Sequence, residues 1–126
     1  MRISLHQRLK TGGALMNPSE LSTIRDVVAP IASQYGVEKM YLFGSRARGD
    51  NRPDSDYDFL ISIGKLDSLW KFAGFWTALE NVLHSSVDVI SDDTKDRELL
   101  DEAKKEGLLV YDEQRYYDRS KNVEVL

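Results

Sequence analysis

The chain contains no cysteine among its 126 residues. Disulfides, thiolate zinc sites and cysteine nucleophiles are therefore excluded. It also lacks any apolar stretch near the roughly 18 residues needed to span a bilayer, so we expect no membrane association. Its first residues lack the continuous apolar core of a secretory signal, and we therefore expect a cytoplasmic protein.

Basic residues are not in excess either, because the formal net charge is −4. Direct sequence-specific nucleic-acid binding normally needs a basic surface and is not expected. The charge is uneven, with eight Lys or Arg against four acids in residues 1–52 and nine against seventeen in residues 53–126. A basic first part can face phosphates and an acidic second part can hold a divalent metal. Ordinary solvated surface charge explains most of these residues equally well.

The hydrophobic pattern predicts one domain at residues 17–113 and a polar tail at 114–126. Residues 1–16 are expected to be a flexible arm or an extension upstream of a natural start at Met16. A helix is predicted from Asn17-Pro18 to Gly36, where a cap, a first-position proline and a terminal glycine follow in order. Four strands and two further helices complete the order α-β-β-α-β-α-β. We expect an α/β (α+β) fold, a small mixed β-sheet with helices packed on it.

Several aromatic and histidine side chains could have a functional role, but none belongs to a recognisable motif. Trp76 lies in the apolar face predicted for the helix marked by Leu69, Phe72, Ala73, Leu79 and Leu83, so core packing is its expected role. His6 and His84 are expected to be surface or packing residues. Tyr116 and Tyr117, as exposed tail residues, are expected to be incidental rather than sites of self-modification.

A short strand, residues 39–43, runs directly into Gly44-Ser45. Glycine allows a sharp turn and close approach of the backbone to a ligand. If a short helix follows, its free N–H groups suit a phosphate. Ser45 can add a hydroxyl donor, and Arg46 and Arg48 can add positive charge. Taken alone, the pattern fits a simple turn better than a phosphate site.

In the next predicted strand Tyr57, Phe59, Ile61 and Ile63 alternate with Asp56, Asp58 and Leu60, so the two aspartates lie on one face. Aspartate is depleted in strands, and two carboxylates this close repel each other unless a cation lies between them. Oxygen ligands favour Mg²⁺ or Mn²⁺. A polar edge strand facing water is the alternative, and the pair alone does not decide between them.

Asp88 interrupts the apolar strand Val87–Ile90, where an unpaired buried carboxylate would be costly. If this strand neighbours the one that holds Asp56, Asp88 completes a set of three acids around one site. The alternative is that Asp88 lies on the solvent face of the sheet.

Residues 42–50 (LFGSRARGD) and 55–59 (SDYDF) resemble the signature of the DNA-polymerase-β-like nucleotidyltransferase superfamily: Gly-Ser, ten residues, Asp-x-Asp. The resemblance runs from about residue 21 to residue 113 and includes Asp88 and the ending at 105–111 (KEGLLVY). The size resembles the stand-alone minimal nucleotidyltransferases (MNT proteins). Many of these are encoded beside a small helical HEPN protein and act as its antitoxin.

The resemblance implies that Asp56 and Asp58 hold two Mg²⁺ ions, with Mn²⁺ as an alternative. It implies that Asp88 helps to bind one metal ion and orients or deprotonates the attacking hydroxyl. The substrate would be ATP and the products an adenylylated hydroxyl and pyrophosphate.

The same resemblance implies that Gly44 and Ser45 hold the β- and γ-phosphates, with Arg46 or Arg48 steadying negative charge. The acceptor would be a tyrosine of a partner HEPN toxin, in a hetero-oligomer with this chain. Two alternatives stay open: a non-catalytic module that neutralises a toxin by contact, and transfer to a small hydroxylated molecule.

Overall fold

The computed structural model describes residues 16–116, and its elements follow the predicted order with one added short helix. The helices are α1 (Pro18–Tyr35), α2 (Gly44–Arg48), α3 (Leu69–Leu83) and α4 (Arg97–Glu106). The strands are β1 (Lys39–Phe43), β2 (Tyr57–Ser62), β3 (Val87–Ser91) and β4 (Leu108–Asp112). The added element is α2, which begins at the residue directly after β1.

Helix α1 begins and ends as its sequence predicts. The Asn17 side chain accepts a hydrogen bond from the Ser19 N–H at 2.7 Å, and Pro18 is the first helical residue. Gly36 ends the helix with a φ of 76°, a left-handed conformation that glycine adopts without steric cost. The buried residues of α1 follow the predicted three- and four-residue steps and end in Ala32: Ile24, Val28, Ile31, Ala32.

Helix α3 buries most of the predicted face: Leu79 is buried, and Phe72, Trp76 and Leu83 pack against the core, whereas Leu69 and Ala73 are exposed. Phe75 and Leu79 are fully buried, whereas Leu69 is 83% exposed. Leu69 is the first residue of the helix, and Phe75, which the prediction did not include, belongs to the buried face. Trp76 packs as predicted, partly buried, with its ring 5.7 Å from that of Phe72 in an edge-to-face arrangement.

The four strands form one sheet in the order β3-β2-β1-β4. Strand β1 is antiparallel to β2 and β4, and β2 is parallel to β3. In this register Phe43 pairs with Asp58, and Asp58 pairs with Asp88. The end of β1 and the starts of β2 and β3 therefore meet at the same end of the sheet.

The two faces of the sheet have different coverings. The larger core lies on the face toward α1 and α3 and includes Phe59 and Ile61 of β2. On the opposite face, Leu60 belongs to a smaller cluster whose helical members, Leu100 and Ala103, come from α4. The predicted alternation along β2 is confirmed, and because Asp58 alternates with Phe59 it lies on the α4 face.

The two ends of the described chain pack against the domain. The Met16 N–H donates to the carbonyl of Ala47 at 3.0 Å. Residues 113–116 form a helical turn, and the Tyr116 ring lies 5.5 Å from that of Tyr111. The expectation that Tyr116 is exposed was wrong, because the buried Tyr111 ring gives it an apolar surface to cover. Tyr117, His6, and the rest of the arm and tail lie outside the described residues.

Candidate active site

Three strand ends bring the predicted site residues to one place. Gly44 follows the last residue of β1, Asp58 is the second residue of β2, and Asp88 is the second residue of β3. The strand register makes Asp58 the direct neighbour of Phe43 on one side and of Asp88 on the other. Asp56 lies one residue before β2 and is exposed. The site is thus built on the α4 face at one end of the sheet.

Gly44 is held in a conformation that another residue would not readily adopt. Its φ is 76°, and a Cβ atom at this position would collide with the Asp58 carboxylate. The Gly44 N–H donates to Glu106 Oε1 at 3.1 Å, so this amide is already bound within the protein. The absence of a side chain at Gly44 therefore allows the turn to lie directly against Asp58. Next to it, Ser45 is half-buried, and its carbonyl accepts hydrogen bonds from the N–H groups of Gly49 and Asp50.

Asp58 is the most perturbed carboxyl group of the site. Its pKa is raised from the usual 3.8 to about 6, first because burial penalises the charged form. The negative charges of Asp88 and Asp56 add to this, as do a hydrogen bond to Asp88 and the charge of Glu102. Asp88 itself is exposed. The alternative that Asp88 is exposed to solvent is therefore correct. Its predicted position beside the strand of Asp56 and Asp58 is also found, because Asp88 pairs with Asp58.

The donor set at this end of the sheet fits a hard divalent cation in its chemistry. All three acids offer carboxylate oxygens, the ligands that Mg²⁺ and Mn²⁺ prefer. A cation between them would offset the repulsion that raises the pKa of Asp58. Within residues 16–116, however, no three His, Cys, Asp or Glu side chains converge as a preformed metal cluster. Asp58 and Asp88 are direct neighbours in the sheet, and Asp56 lies two residues before Asp58.

Arg46 binds the loop between α2 and β2. Its Nη2 donates to the carbonyls of Ser55 at 2.8 Å and Pro53 at 3.1 Å, and its Nε donates to Ser55 at 3.2 Å. The guanidinium carbon lies 4.2 Å from the centre of the Tyr57 ring, a cation–π contact. These contacts are made on both sides of Asp56. Arg46 therefore has a structural function that its sequence position did not predict.

Arg48 is enclosed by acids. Its Nη1 donates to both carboxylate oxygens of Glu106, at 2.9 and 3.1 Å, and its Nε donates to Asp50 at 3.1 Å. Glu102 lies 4.0 Å away. The hydrogen bonds to Glu106 and Asp50 raise the pKa of Arg48 above its usual range, so it is a permanent cation.

Glu106 and Glu102 were missed by sequence reasoning. Both lie on α4, far from the motif in sequence, and only the packing of α4 on the sheet brings them to the site. One signal was available. Glu106 is the last residue of α4, and an acid at the C-terminal end of a helix is disfavoured by the helix dipole.

Comparison with known proteins settles the family. Residues 27–116 match the family model described as polymerase beta, nucleotidyltransferase. The chain belongs to this nucleotidyltransferase family. The resemblance stated from the Gly-Ser and Asp-x-Asp motif is thereby confirmed, as is the mixed α/β fold class. This nucleotidyltransferase has no helix within residues 16–116 that is long and apolar enough to cross a membrane.

Two archaeal relatives support the assignment. The nucleotidyltransferase is 34% identical over 71 residues to MJ0435 of Methanocaldococcus jannaschii, named as a candidate protein adenylyltransferase, covering 56% of this chain and 76% of that one. It is 35% identical over 60 residues to the protein adenylyltransferase MntA of Thermococcus cleftensis, covering 48% and 61% respectively.

Solved structures show the same fold. A candidate minimal nucleotidyltransferase superposes with a TM-score of 0.63 at 30% identity, covering 74% of this chain and 95% of that one. A toxin–antitoxin complex with AMP-PNP gives a TM-score of 0.62 at 17% identity, with 80% and 85% covered. A tri-AMPylated Shewanella oneidensis HEPN toxin with its MNT antitoxin gives 0.58 at 16% identity, with 78% and 77% covered.

Proposed function

We propose that this nucleotidyltransferase transfers AMP from ATP to a hydroxyl group, a tyrosine, of a HEPN-family toxin and thereby acts as its antitoxin. The observation that carries the proposal is the contact of the Gly44 turn with Asp58, with Asp88 directly beside Asp58 in the sheet. The names of the relatives, protein adenylyltransferases, support the reaction. The complexes of related fold support a toxin as the partner.

In this proposal the three acids hold divalent metal, Mg²⁺ or Mn²⁺. When bound, the metal ions supply positive charge to the triphosphate and to the attacking oxygen. Asp56 and Asp58 are the ligands on β2, and Asp88 is the ligand on β3. Burial and the neighbouring acids disfavour the charge on Asp58 and raise its pKa to about 6. A bound cation would therefore stabilise the ionised form, which is the main form at neutral pH.

The chain's own groups bind and orient the two substrates. Ser45 and Arg48 are proposed to contact the β- and γ-phosphates, and Gly44 lets the triphosphate approach Asp58 closely. Arg46, bound to the loop carbonyls, is proposed to act on phosphate charge only at a distance. Electrostatic positioning of this kind is the main contribution to phosphoryl and nucleotidyl transfer.

The bond changes balance without a further reactant. The acceptor hydroxyl oxygen forms a bond to the α-phosphorus of ATP, and its proton passes to the Asp88 carboxylate. The bond between the α-phosphorus and the oxygen that bridges to the β-phosphorus breaks, and pyrophosphate leaves. The exposed position of Asp88 suits this task, because a protein hydroxyl has to reach it from outside.

The test uses the purified chain, ATP, Mg²⁺ and a small helical protein of the HEPN family, sought among the products of the genes beside its own. We expect the mass of the helical protein to rise by one or more AMP units and its toxicity to be lost. Asp58→Asn should abolish the mass change, because it removes a ligand without changing the shape of the side chain. Asp54→Asn, an exposed acid of the same loop, is the matched control and should retain it.

Other results of this test would decide against the proposal. If Asp58→Asn still neutralises the toxin without a mass change, the chain is a binding module. If the helical protein is never modified but a small hydroxylated compound is, the acceptor class is wrong.

A further inference from the structure

Glu106 makes two contacts that link α4 to the motif. One carboxylate oxygen accepts from the Gly44 N–H at 3.1 Å and from Arg48 Nη1 at 3.1 Å, and the other accepts from Arg48 Nη1 at 2.9 Å. The side chain is only 22% exposed, the least among the acids that contact Arg48. A single carboxylate thus binds the backbone of the turn and the cation at the end of α2.

The position of Glu106 in its helix is unfavourable by itself. As the last residue of α4 it lies at the negative end of the helix dipole, although Lys104 and Lys105 precede it. Charge-assisted hydrogen bonds from a guanidinium and an amide compensate for this cost. The Glu106 side chain thus holds Arg48 and the Gly44 N–H in place.

The donors of Arg48 are divided between two acids. Nε is bound to Asp50 and Nη1 is bound to Glu106. For Nη2, the hydrogen bonds within residues 16–116 include no protein acceptor. Two edges of the planar group are therefore fixed, and the remaining amino group is the one left to meet a ligand.

We infer that Glu106 is a positioning residue for nucleotide binding: it holds the Arg48 guanidinium and the Gly44 turn so that the free edge of Arg48 meets the triphosphate. The inference rests on the proposed contact of Arg48 with phosphate. It extends the site from the motif to the last residue of α4. Glu106 acts only through Arg48 and Gly44 and does not touch the substrate.

Glu102 supplies a matched control on the same helix. It lies one turn before Glu106, 4.0 Å from Arg48, and its side chain is 51% exposed. Changing either residue to glutamine removes one negative charge near Arg48, but only Glu106 is hydrogen-bonded to it. Both variants therefore change the general electrostatic attraction of the triphosphate in a similar way. Only Glu106→Gln also removes the hydrogen bonds that fix the Arg48 side chain.

The experiment measures binding of α,β-methylene ATP with Mg²⁺, and of inorganic tripolyphosphate, by calorimetry. Glu106→Gln should weaken both by roughly tenfold, the range expected for a lost charge-assisted hydrogen bond. Glu102→Gln should change neither by more than about twofold. In an Arg48→Met background, the further effect of Glu106→Gln should be clearly smaller, because only the contact with the Gly44 N–H is then left to lose.

Two results would overturn the inference. One is binding as tight as wild type, or tighter, in Glu106→Gln, which would mean that the carboxylate competes with the phosphates. The other is an equal loss in the Arg48→Met background, which would mean that Glu106 does not act through Arg48. The binding assay needs no acceptor, so a failure to modify the helical protein would contradict the proposed function and leave this result standing.

Transfer kinetics give a second readout. The KM for ATP should rise in Glu106→Gln while kcat changes by less than about threefold, the pattern for an interaction made equally in the bound and transition states. A merely structural role would lower kcat and the thermal stability together.

Discussion

Gly44 and Asp58 are so close that a side chain on the glycine would occupy the space of the Asp58 carboxylate. The register of β1 and β2 produces this contact, because Asp58 pairs with Phe43, the residue just before the glycine. The ten residues between Gly-Ser and Asp-x-Asp are the length of chain that returns β2 to this position. The ten-residue spacing in the sequence therefore reflects the contact between Gly44 and Asp58 in the structure.

Gly44→Ala should lose transfer activity by about 100-fold or more, because it displaces Asp58 and strains a φ of 76°. Gly36→Ala is the matched control, with the same φ of 76° at a position distant from the motif. We expect both to lower the free energy of unfolding by about 1–2 kcal/mol, the cost of the left-handed conformation. Equal activity loss in both variants would show that strain alone explains the effect.

The metal-free protein should become less stable as pH rises from about 4 to about 6. The pKa of Asp58 is about 6 in the folded chain against 3.8 for an unperturbed aspartate, so the folded state holds its proton more tightly in this window. The stability contributed by that proton is fully present below the pKa of Asp58 in the unfolded chain. It is lost as the pH rises through the pKa of Asp58 in the folded chain.

Asp58→Asn should remove this dependence and raise the free energy of unfolding at pH 8 by about 1–2 kcal/mol, a value reduced for the partial exposure of the group. Urea unfolding of the wild type and of Asp58→Asn in EDTA, at several pH values, measures both quantities. A variant no more stable than wild type at pH 8 would mean that neither burial nor the neighbouring acids disfavour the charge on Asp58 in the folded chain.

Mg²⁺ or Mn²⁺ should raise the melting temperature of the wild type. At tenfold excess over the dissociation constant, a bound ion adds about 1.4 kcal/mol. Asp58→Asn should show little shift, whereas Asp54→Asn should respond like the wild type. A shift that persists in Asp58→Asn would place the metal elsewhere.

Arg46→Met should loosen the loop that carries Asp56. The wild-type side chain binds the carbonyls of Ser55 and Pro53 and stacks on Tyr57. We expect faster hydrogen exchange in residues 49–56, with a rise in the Mg²⁺ concentration needed for half-maximal activity. Arg52→Met removes an exposed arginine of the same loop and should leave both unchanged. If the exchange rates match those of the wild type, Arg46 does not hold the loop.

Much of the site could be predicted because its residues are close in sequence. Gly44, Asp56 and Asp58 belong to one motif, and the alternation along β2 correctly placed Asp58 on the face opposite Phe59. The pairing of Asp88 with Asp58 needed only the assumption that the two strands are neighbours.

The rest depends on tertiary contacts. Arg46 and Arg48 look equivalent in sequence, yet one binds loop carbonyls and the other binds the acids of α4. Glu106 enters the site only because Leu100 and Ala103 pack α4 on the sheet. In α3 the prediction included Leu69 and missed Phe75, because the three- and four-residue steps do not tell which turns of the helix the core covers.

Transfer of label from ATP tests the central claim most directly. ATP labelled at the α-phosphate and ATP labelled at the γ-phosphate are each incubated with the chain, Mg²⁺ and the helical neighbour protein. Nucleotidyl transfer predicts that the α-label becomes bound to the protein while the γ-label appears in pyrophosphate, and that Asp58→Asn abolishes both. Protein-bound γ-label, or α-label that persists in Asp58→Asn, would contradict the account.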